Sequence, residues 1–381
     1  MSSIAHGVRI EVSDRRQGVP VLQHDQGGPA SSRPGSAEKT VIGLDELSRG
    51  GGLLRIREEV VVDRPFGRLL HFDLEGNRPR PRVLIVSPLS GMRSGMLHDM
   101  IMGILPGHDV YCLTWKDAGD VPVDEGPFGL EDNIAYAIDA LNSIEGRLHV
   151  IGLCQSALPA LAATALVAGD SARPFSLTLI GGKLDTRINP TRMDTLTRRW
   201  PLEWYRNFVV TTVPDYRIGR GRRVYSANTE VMMLWAYLLR NFWSGGELFG
   251  KVLRDDGADP IQHPFVNSFF SVGDVPAEFY VDTVAQVFHN SALATGQLAW
   301  RGTRIAPENI LDTALFTVEG ELDDISGLGQ TRVAHDLCTG IPAGHRASFL
   351  CPNVGQLGLF YGSVWRREVL PRFADFVRQH G

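Results

Sequence analysis

The run Leu148-His149-Val150-Ile151-Gly152-Leu153-Cys154-Gln155-Ser156-Ala157-Leu158-Pro159-Ala160-Leu161 constrains the fold more than any other part of the chain. Its first half reads as an apolar strand and its second as an Ala/Leu-rich helix, with very few residues to turn the chain between them. So tight a turn tolerates only small neighbours, and Gly152 and Ser156 supply them on either side of Cys154. This is the layout of a nucleophile elbow, with cysteine where serine usually stands. The backbone N–H of Gln155, the next residue, then points at a developing oxyanion. The same residues also suit a buried cysteine that closes a core strand, because free cysteine is among the most buried residue types. On this segment alone both readings stand.

Around the elbow, strand and helix patterns alternate. Short strands at 58–62 and 68–73 precede the apolar run 83–86, which ends in the loop Ser87-Pro88-Leu89-Ser90-Gly91 and feeds a helix over 96–105. A strand at 109–115, an amphipathic helix at 130–144 with Glu131 and Asp132 in its first turn, the elbow, and a strand at 175–180 follow. Alternation with connections long enough for crossovers predicts an α/β chain, with a mostly parallel central sheet and helices on both faces. The alternation stops after Gly181-Gly182 and resumes beyond Trp300 with strands at 314–318 and 346–350 and helices at 333–337 and 365–377. A helical cap inserted between late strands accounts for the gap. Four parts are therefore expected: a flexible tail over 1–45, rich in Gly, Pro and Ser, a first core part over 46–183, an aromatic-rich cap over 184–300, and a second core part over 301–381.

The apolar fraction of 43% in 381 residues suffices for a large core. A net charge of -5 argues against a nucleic-acid groove or an anionic membrane surface as the main partner. Cys112, Cys154, Cys338 and Cys351 are widely spaced and form no C-x-x-C pair, which suits a reducing cytoplasm better than a disulfide framework or a zinc site. No basic-then-apolar leader begins the chain, and no run reaches about 18 apolar residues. The expectation is a soluble, cytoplasmic protein without metal or cofactor.

In an α/β-hydrolase arrangement the nucleophile, the acid and a histidine follow in that order on loops after late strands. After the strand at 314–318 stands Glu319-Gly320-Glu321-Leu322-Asp323-Asp324-Ile325-Ser326-Gly327. Gly320 permits a tight turn that presents Asp323, with Asp324 as the reserve; an acidic surface turn is the plainer reading. After the strand at 346–350 the loop contains no histidine, and Gln356, between Gly355 and Gly358, stands where one is expected. The second oxyanion donor is expected from the backbone of Leu89, Ser90 or Gly91.

With these residues in place the chain resembles the intracellular polyhydroxyalkanoate (polyhydroxybutyrate) depolymerases. The resemblance is carried by Pro88-Leu89-Ser90-Gly91, Leu105-Pro106-Gly107-His108-Asp109-Val110-Tyr111, Cys154-Gln155 and Asp185-Thr186-Arg187-Ile188-Asn189-Pro190. It continues through Ala277-Glu278-Phe279-Tyr280, the segment from Thr317 to Gly327, and Ala334-His335-Asp336-Leu337-Cys338. It implies an α/β-hydrolase fold, a cysteine nucleophile at Cys154, an aspartate at Asp323, and an amorphous storage polyester as substrate, with the granule surface as a further partner. It also implies a histidine at the position of Gln356 and another at that of Met92, and this chain departs at both. An amide neither takes a proton from a thiol at neutral pH nor returns one to an alkoxide. An ester hydrolase impaired by Gln356 therefore competes with a catalytically silent polyester-binding or regulatory homologue and, in third place, an acyltransferase resembling the polyester synthases. His98 on the helix after the oxyanion loop, His289 in the cap and His345 just before the last strand are the candidate replacement bases, each read first as a surface or packing residue. Arg187 and Asn189 read as anchors for the start of the cap, and Met92, Trp235, Trp243, Phe269 and Phe270 as candidate lining of an apolar substrate cleft.

Overall fold

The alternating segments come together in the computed structural model, which describes residues 42, 44, 46–49, 52–74, 80–89, 95–233 and 272–381. In chain order the first strands are β1 (Glu46–Arg49), β2 (Gly52–Asp63), β3 (Gly67–Leu74), β4 (Arg82–Val86), β5 (Asp109–Trp115), β6 (Leu148–Leu153) and β7 (Ser176–Ile180). The short strands β8 (Thr211–Thr212), β9 (Arg223–Tyr225), β10 (Val275–Pro276), β11 (Ala299–Trp300) and β12 (Thr303–Arg304) follow, and then β13 (Ala314–Gly320) and β14 (Arg346–Cys351). Nine of them form one sheet in the order β1-β2-β3-β5-β4-β6-β7-β13-β14. The pairings from β5 through β14 are parallel, while β1, β2 and β3 extend that edge antiparallel. Every residue of β6, β7 and β13 is buried, as expected of parallel strands covered on both faces.

Helices α1 (Gly95–Ile104), α2 (Leu130–Ser143) and α3 (Ala157–Leu166) make the crossovers, and Leu370–His380 closes the chain. Leu97, Met100, Ile101 and Ile104 line one stripe of α1 and join Phe373 and Val377 of the C-terminal helix in the core on one face. Ile134, Ala137 and Leu141 of α2 meet Leu158 and Leu161 of α3 in the core on the other. This is the α/β-hydrolase architecture. From β4 the chain winds to β5 on one side and then returns to β6 on the other. The crevice at the strand ends between β4 and β6 is thus a topological switch point, where ligands bind in open α/β sheets.

Several expectations need correction. Ile42 and Leu44 belong to the stretch expected as tail, yet Leu44 is 2% exposed in the core and the Ile42 N–H donates to Glu58 Oε1 at 3.0 Å. The apolar side chains of these two residues outweigh the polar composition of the stretch before them. The interval between β7 and β13 is not helical throughout. Alongside α4 (Arg192–Arg199) it carries a small antiparallel sheet in the order β10-β9-β8 and the pairing of β11 with β12. The closing helix opens as a π-helical turn, Trp365–Val369, before continuing as an α-helix.

Candidate functional site

Cys154 follows the last residue of β6 and lies at the switch point, partly exposed. Its φ is 49°, a left-handed conformation that costs a non-glycine residue about 1–2 kcal/mol. Ser156, 3% exposed, holds the turn: its hydroxyl accepts the Leu153 N–H at 2.9 Å and also engages the Leu153 and Val86 carbonyls. Two glycines make room. A Cβ on Gly152 meets Ala160 Cβ at 2.8 Å, and one on Gly182 meets Ala157 Cβ at 2.2 Å, so both positions bar any side chain where α3 leaves the elbow.

Asp323 and Gln356 come from neighbouring loops. The parallel pairing of β13 and β14 ends at Gly320 opposite Cys351, so both loops begin at one level. They are then tied together, Glu321 N–H to Cys351 O at 2.9 Å and Leu322 N–H to Val354 O at 2.9 Å. Asp323 N–H closes the turn on Gly320 O at 3.2 Å. Asp323 Oδ1 accepts the N–H groups of Ile325 at 2.9 Å and Ser326 at 2.8 Å, whereas Oδ2 is buried and unpartnered among the described residues. Burial pushes the Asp323 carboxyl up to about 7, against the pull of those N–H groups and of Lys183, and the Asp324 charge beside it adds to the rise. Gln356 is 4% exposed. Its Nε2 donates to Gly181 O at 3.1 Å, and its Oε1 is buried and unpartnered among the described residues.

The Cys154 thiol is pushed up to about 11, first by burial and then by the charge of Asp323. Hydrogen bonds from the Gln155 backbone and the Gln356 side chain, and the Lys183 charge, pull the other way. Asp323 and Gln356 therefore both act on the Cys154 thiol, but the residue at 356 offers it an amide. About one thiol in 10⁴ is ionised at pH 7 in such surroundings.

On the oxyanion side the Gln155 side chain plays a part that its position alone did not reveal. The Leu89 N–H, expected to face the oxyanion, instead donates to Gln155 Oε1 at 3.1 Å, because that side chain reaches back across the switch point. Ser90, Gly91, Met92, Trp235, Trp243, Phe269 and Phe270 lie outside the described residues. Asn189 ties to the acid loop through its Nδ2, donating to Leu328 O at 2.7 Å, and Arg187 turns back on Asp185 at 2.8 Å. None of the three singled-out histidines contacts Cys154: His98 is exposed, His289 meets Thr197 O at 3.0 Å, and His345 packs on the His380 ring.

Two positions have roles that the sequence did not reveal. Glu319, 7% exposed, accepts through Oε1 the N–H groups of Gly329 at 3.0 Å, Thr331 at 2.8 Å and Arg332 at 2.9 Å, and so closes the far end of the acid loop. A carboxylate in an otherwise apolar strand was the available signal. Lys183, directly after the paired glycines, is bound to the fully buried Asp194, which also accepts from Gln330 Nε2 at 2.8 Å. Among the described residues no group of three or more His, Cys, Asp or Glu could hold a metal ion. No helix among them is long and apolar enough to cross a membrane.

Comparison with known proteins adds a family. A family model described as PHB de-polymerase C-terminus matches residues 181–381. No curated protein matches the sequence. Solved structures with a similar fold include a monoacylglycerol lipase from Paleococcus ferrophilus at 14% identity, covering 80% of this chain and 97% of that one, TM-score 0.48. A serine hydrolase from the polyaromatic hydrocarbon-degrading bacterium Cycloclasticus zankles shares 11% identity over 85% of this chain and 98% of that one, TM-score 0.48. A serine hydrolase involved in carbazole degradation shares 12% over 86% and 99%, TM-score 0.45.

Proposed function

Because this chain belongs to the PHB de-polymerase family, and so to the ester hydrolases, we propose that it cleaves a polyhydroxyalkanoate through Cys154. In this reading Cys154 attacks the ester carbonyl, Asp323 is the acid of the site, and Gln356 occupies the position of the family's histidine. The Gln155 N–H, together with an N–H from the loop beyond Leu89, receives the oxyanion. Residues 184–300 cover the site as a cap, and the protein works in the cytoplasm at the surface of a polyester granule. The observation that carries the proposal is Cys154 itself: a left-handed cysteine at the switch point, with the Asp323 and Gln356 loops converging on its sulfur.

A second reading has its own support. The raised thiol and the amide at 356 leave acylation without a base, which suits a silent homologue that binds polyester. Hydrolysis of a short hydroxybutyrate oligomer separates the two. We expect slow turnover by the chain as it stands, none after Cys154→Ala, and a gain of roughly 10²–10⁴-fold after Gln356→His, the usual worth of a placed general base. Turnover that survives Cys154→Ala sinks the cysteine mechanism, and none in the unsubstituted chain leaves the silent reading.

A further inference from the structure

We propose that Asp323 and Gln356 together hold the water that hydrolyses an acyl group from Cys154, with Asp323 as its base. The inference rests on the reading that Cys154 becomes acylated. Two acceptor atoms carry it, Asp323 Oδ2 and Gln356 Oε1, both buried and both without a hydrogen-bond partner among the described residues. Once Asp323 is ionised neither atom can donate, so in that state the pair cannot satisfy each other. A water can: its two O–H groups match the two acceptors and its lone pair stays available for attack.

The surrounding bonds fix both atoms. Asp323 Oδ1 is taken by the Ile325 and Ser326 N–H groups, which leaves Oδ2 for the site. Gln356 Nε2 is held by Gly181 O, which fixes the amide, and the Gln356 side chain is near enough to the Cys154 thiol to pull its pKa down. The ties between Glu321, Leu322 and the residues before Gln356 keep the two loops together. A carboxyl poised near 7 is matched to proton transfer at neutral pH. The groups whose charge acts on it are Lys183, which favours the carboxylate, and Asp324, which opposes it.

In the step, the Asp323 carboxylate takes one proton from the water and the oxygen bonds to the thioester carbonyl carbon. The tetrahedral adduct then expels the Cys154 thiolate by breaking its C–S bond. The thiolate takes back the proton held on Asp323, and the acyl group departs as a hydroxy acid. Gln356 thus becomes a working residue for deacylation, although it cannot replace a base in acylation.

The test follows release of nitrophenol from a nitrophenyl 3-hydroxybutyrate ester, together with the intact mass of the protein, for the unsubstituted chain, Asp323→Asn and Gln356→Leu. We expect Asp323→Asn still to acquire one acyl group on Cys154, because the charge that raises the thiol is gone. Its deacylation should slow by roughly 10²–10⁴-fold and lose the limb that rises through pH 7. Gln356→Leu should keep that limb and deacylate about tenfold more slowly, as loss of one water contact predicts. Deacylation by Asp323→Asn at the unsubstituted rate, or with the limb intact, overturns the proposal. So does a limb that falls with rising pH, which would make Asp323 an acid bonded directly to Gln356. Absence of acyl-Cys154 in all three proteins refutes the nucleophile reading instead, and the inference falls with it.

Discussion

Replacing Asp323 by asparagine should stabilise the folded protein, and by an amount that depends on pH. In the folded state burial lifts the carboxyl to about 7, while an unfolded chain ionises it near the ordinary value of about 3.9. A group whose folded pKa is raised favours folding below its unfolded value and loses that contribution as pH climbs to its folded value. The cost therefore accumulates between about pH 4 and 7 and is flat above. Three units at about 1.4 kcal/mol each set a ceiling of about 4 kcal/mol, and solvent reaching this partly buried side chain brings the expectation to about 2 kcal/mol. Asparagine has no such cost. It keeps the Oδ1 acceptor for Ile325 and Ser326 and places an N–H₂ where the unpartnered oxygen stood. Urea unfolding of both proteins at pH 5 and pH 8 measures the difference. A gap between them that does not widen toward pH 8, or an asparagine variant that is the less stable at pH 8, refutes the reasoning.

Two further outcomes concern stability away from the sulfur. Glu319→Gln should cost about 2–3 kcal/mol, since three backbone N–H groups lose a charged acceptor and keep a neutral one; urea unfolding at pH 7 checks it, and a loss below about 0.5 kcal/mol counts against it. His149 is 0% exposed, bonds Ser176 Oγ at 2.8 Å, and is pushed down to about 4, first by burial and then by His108, Arg147 and His380. Its unfolded form takes a proton near 6.5, so stability should fall by about 3 kcal/mol between pH 6.5 and 4. His149→Gln should flatten that part of the unfolding profile, and an unchanged slope would assign the acid sensitivity elsewhere.

The central sheet was legible because parallel strands buried on both faces, as β6 is, must be largely apolar, and the half-buried β5 also appears with the bounds that its Val, Tyr, Cys, Leu and Trp residues indicate. The meeting of the Asp323 and Gln356 loops follows from their leaving the neighbouring parallel strands β13 and β14 at one end. Side-chain reach was not legible. Nothing in the run Cys154-Gln155 tells that the glutamine side chain turns back to the Leu89 N–H, because that depends on how far apart β4 and β6 end. The burial of Leu44 and the small strands between β7 and β13 were equally hidden, since each depends on partners remote in sequence.

The two loops that carry Asp323 and Gln356 are joined by backbone bonds, Glu321 to Cys351 and Leu322 to Val354, and by the Asn353 N–H donating to Glu321 Oε2 at 2.9 Å. No side chain at position 356 takes part in that junction. The junction is therefore built without the residue it presents, whose own tie is the bond from Gln356 Nε2 to Gly181 O at 3.1 Å. The residue at 356 is a fitting on a separate mount, so a substitution there changes the chemistry offered to Cys154 and leaves the junction of the two loops in place.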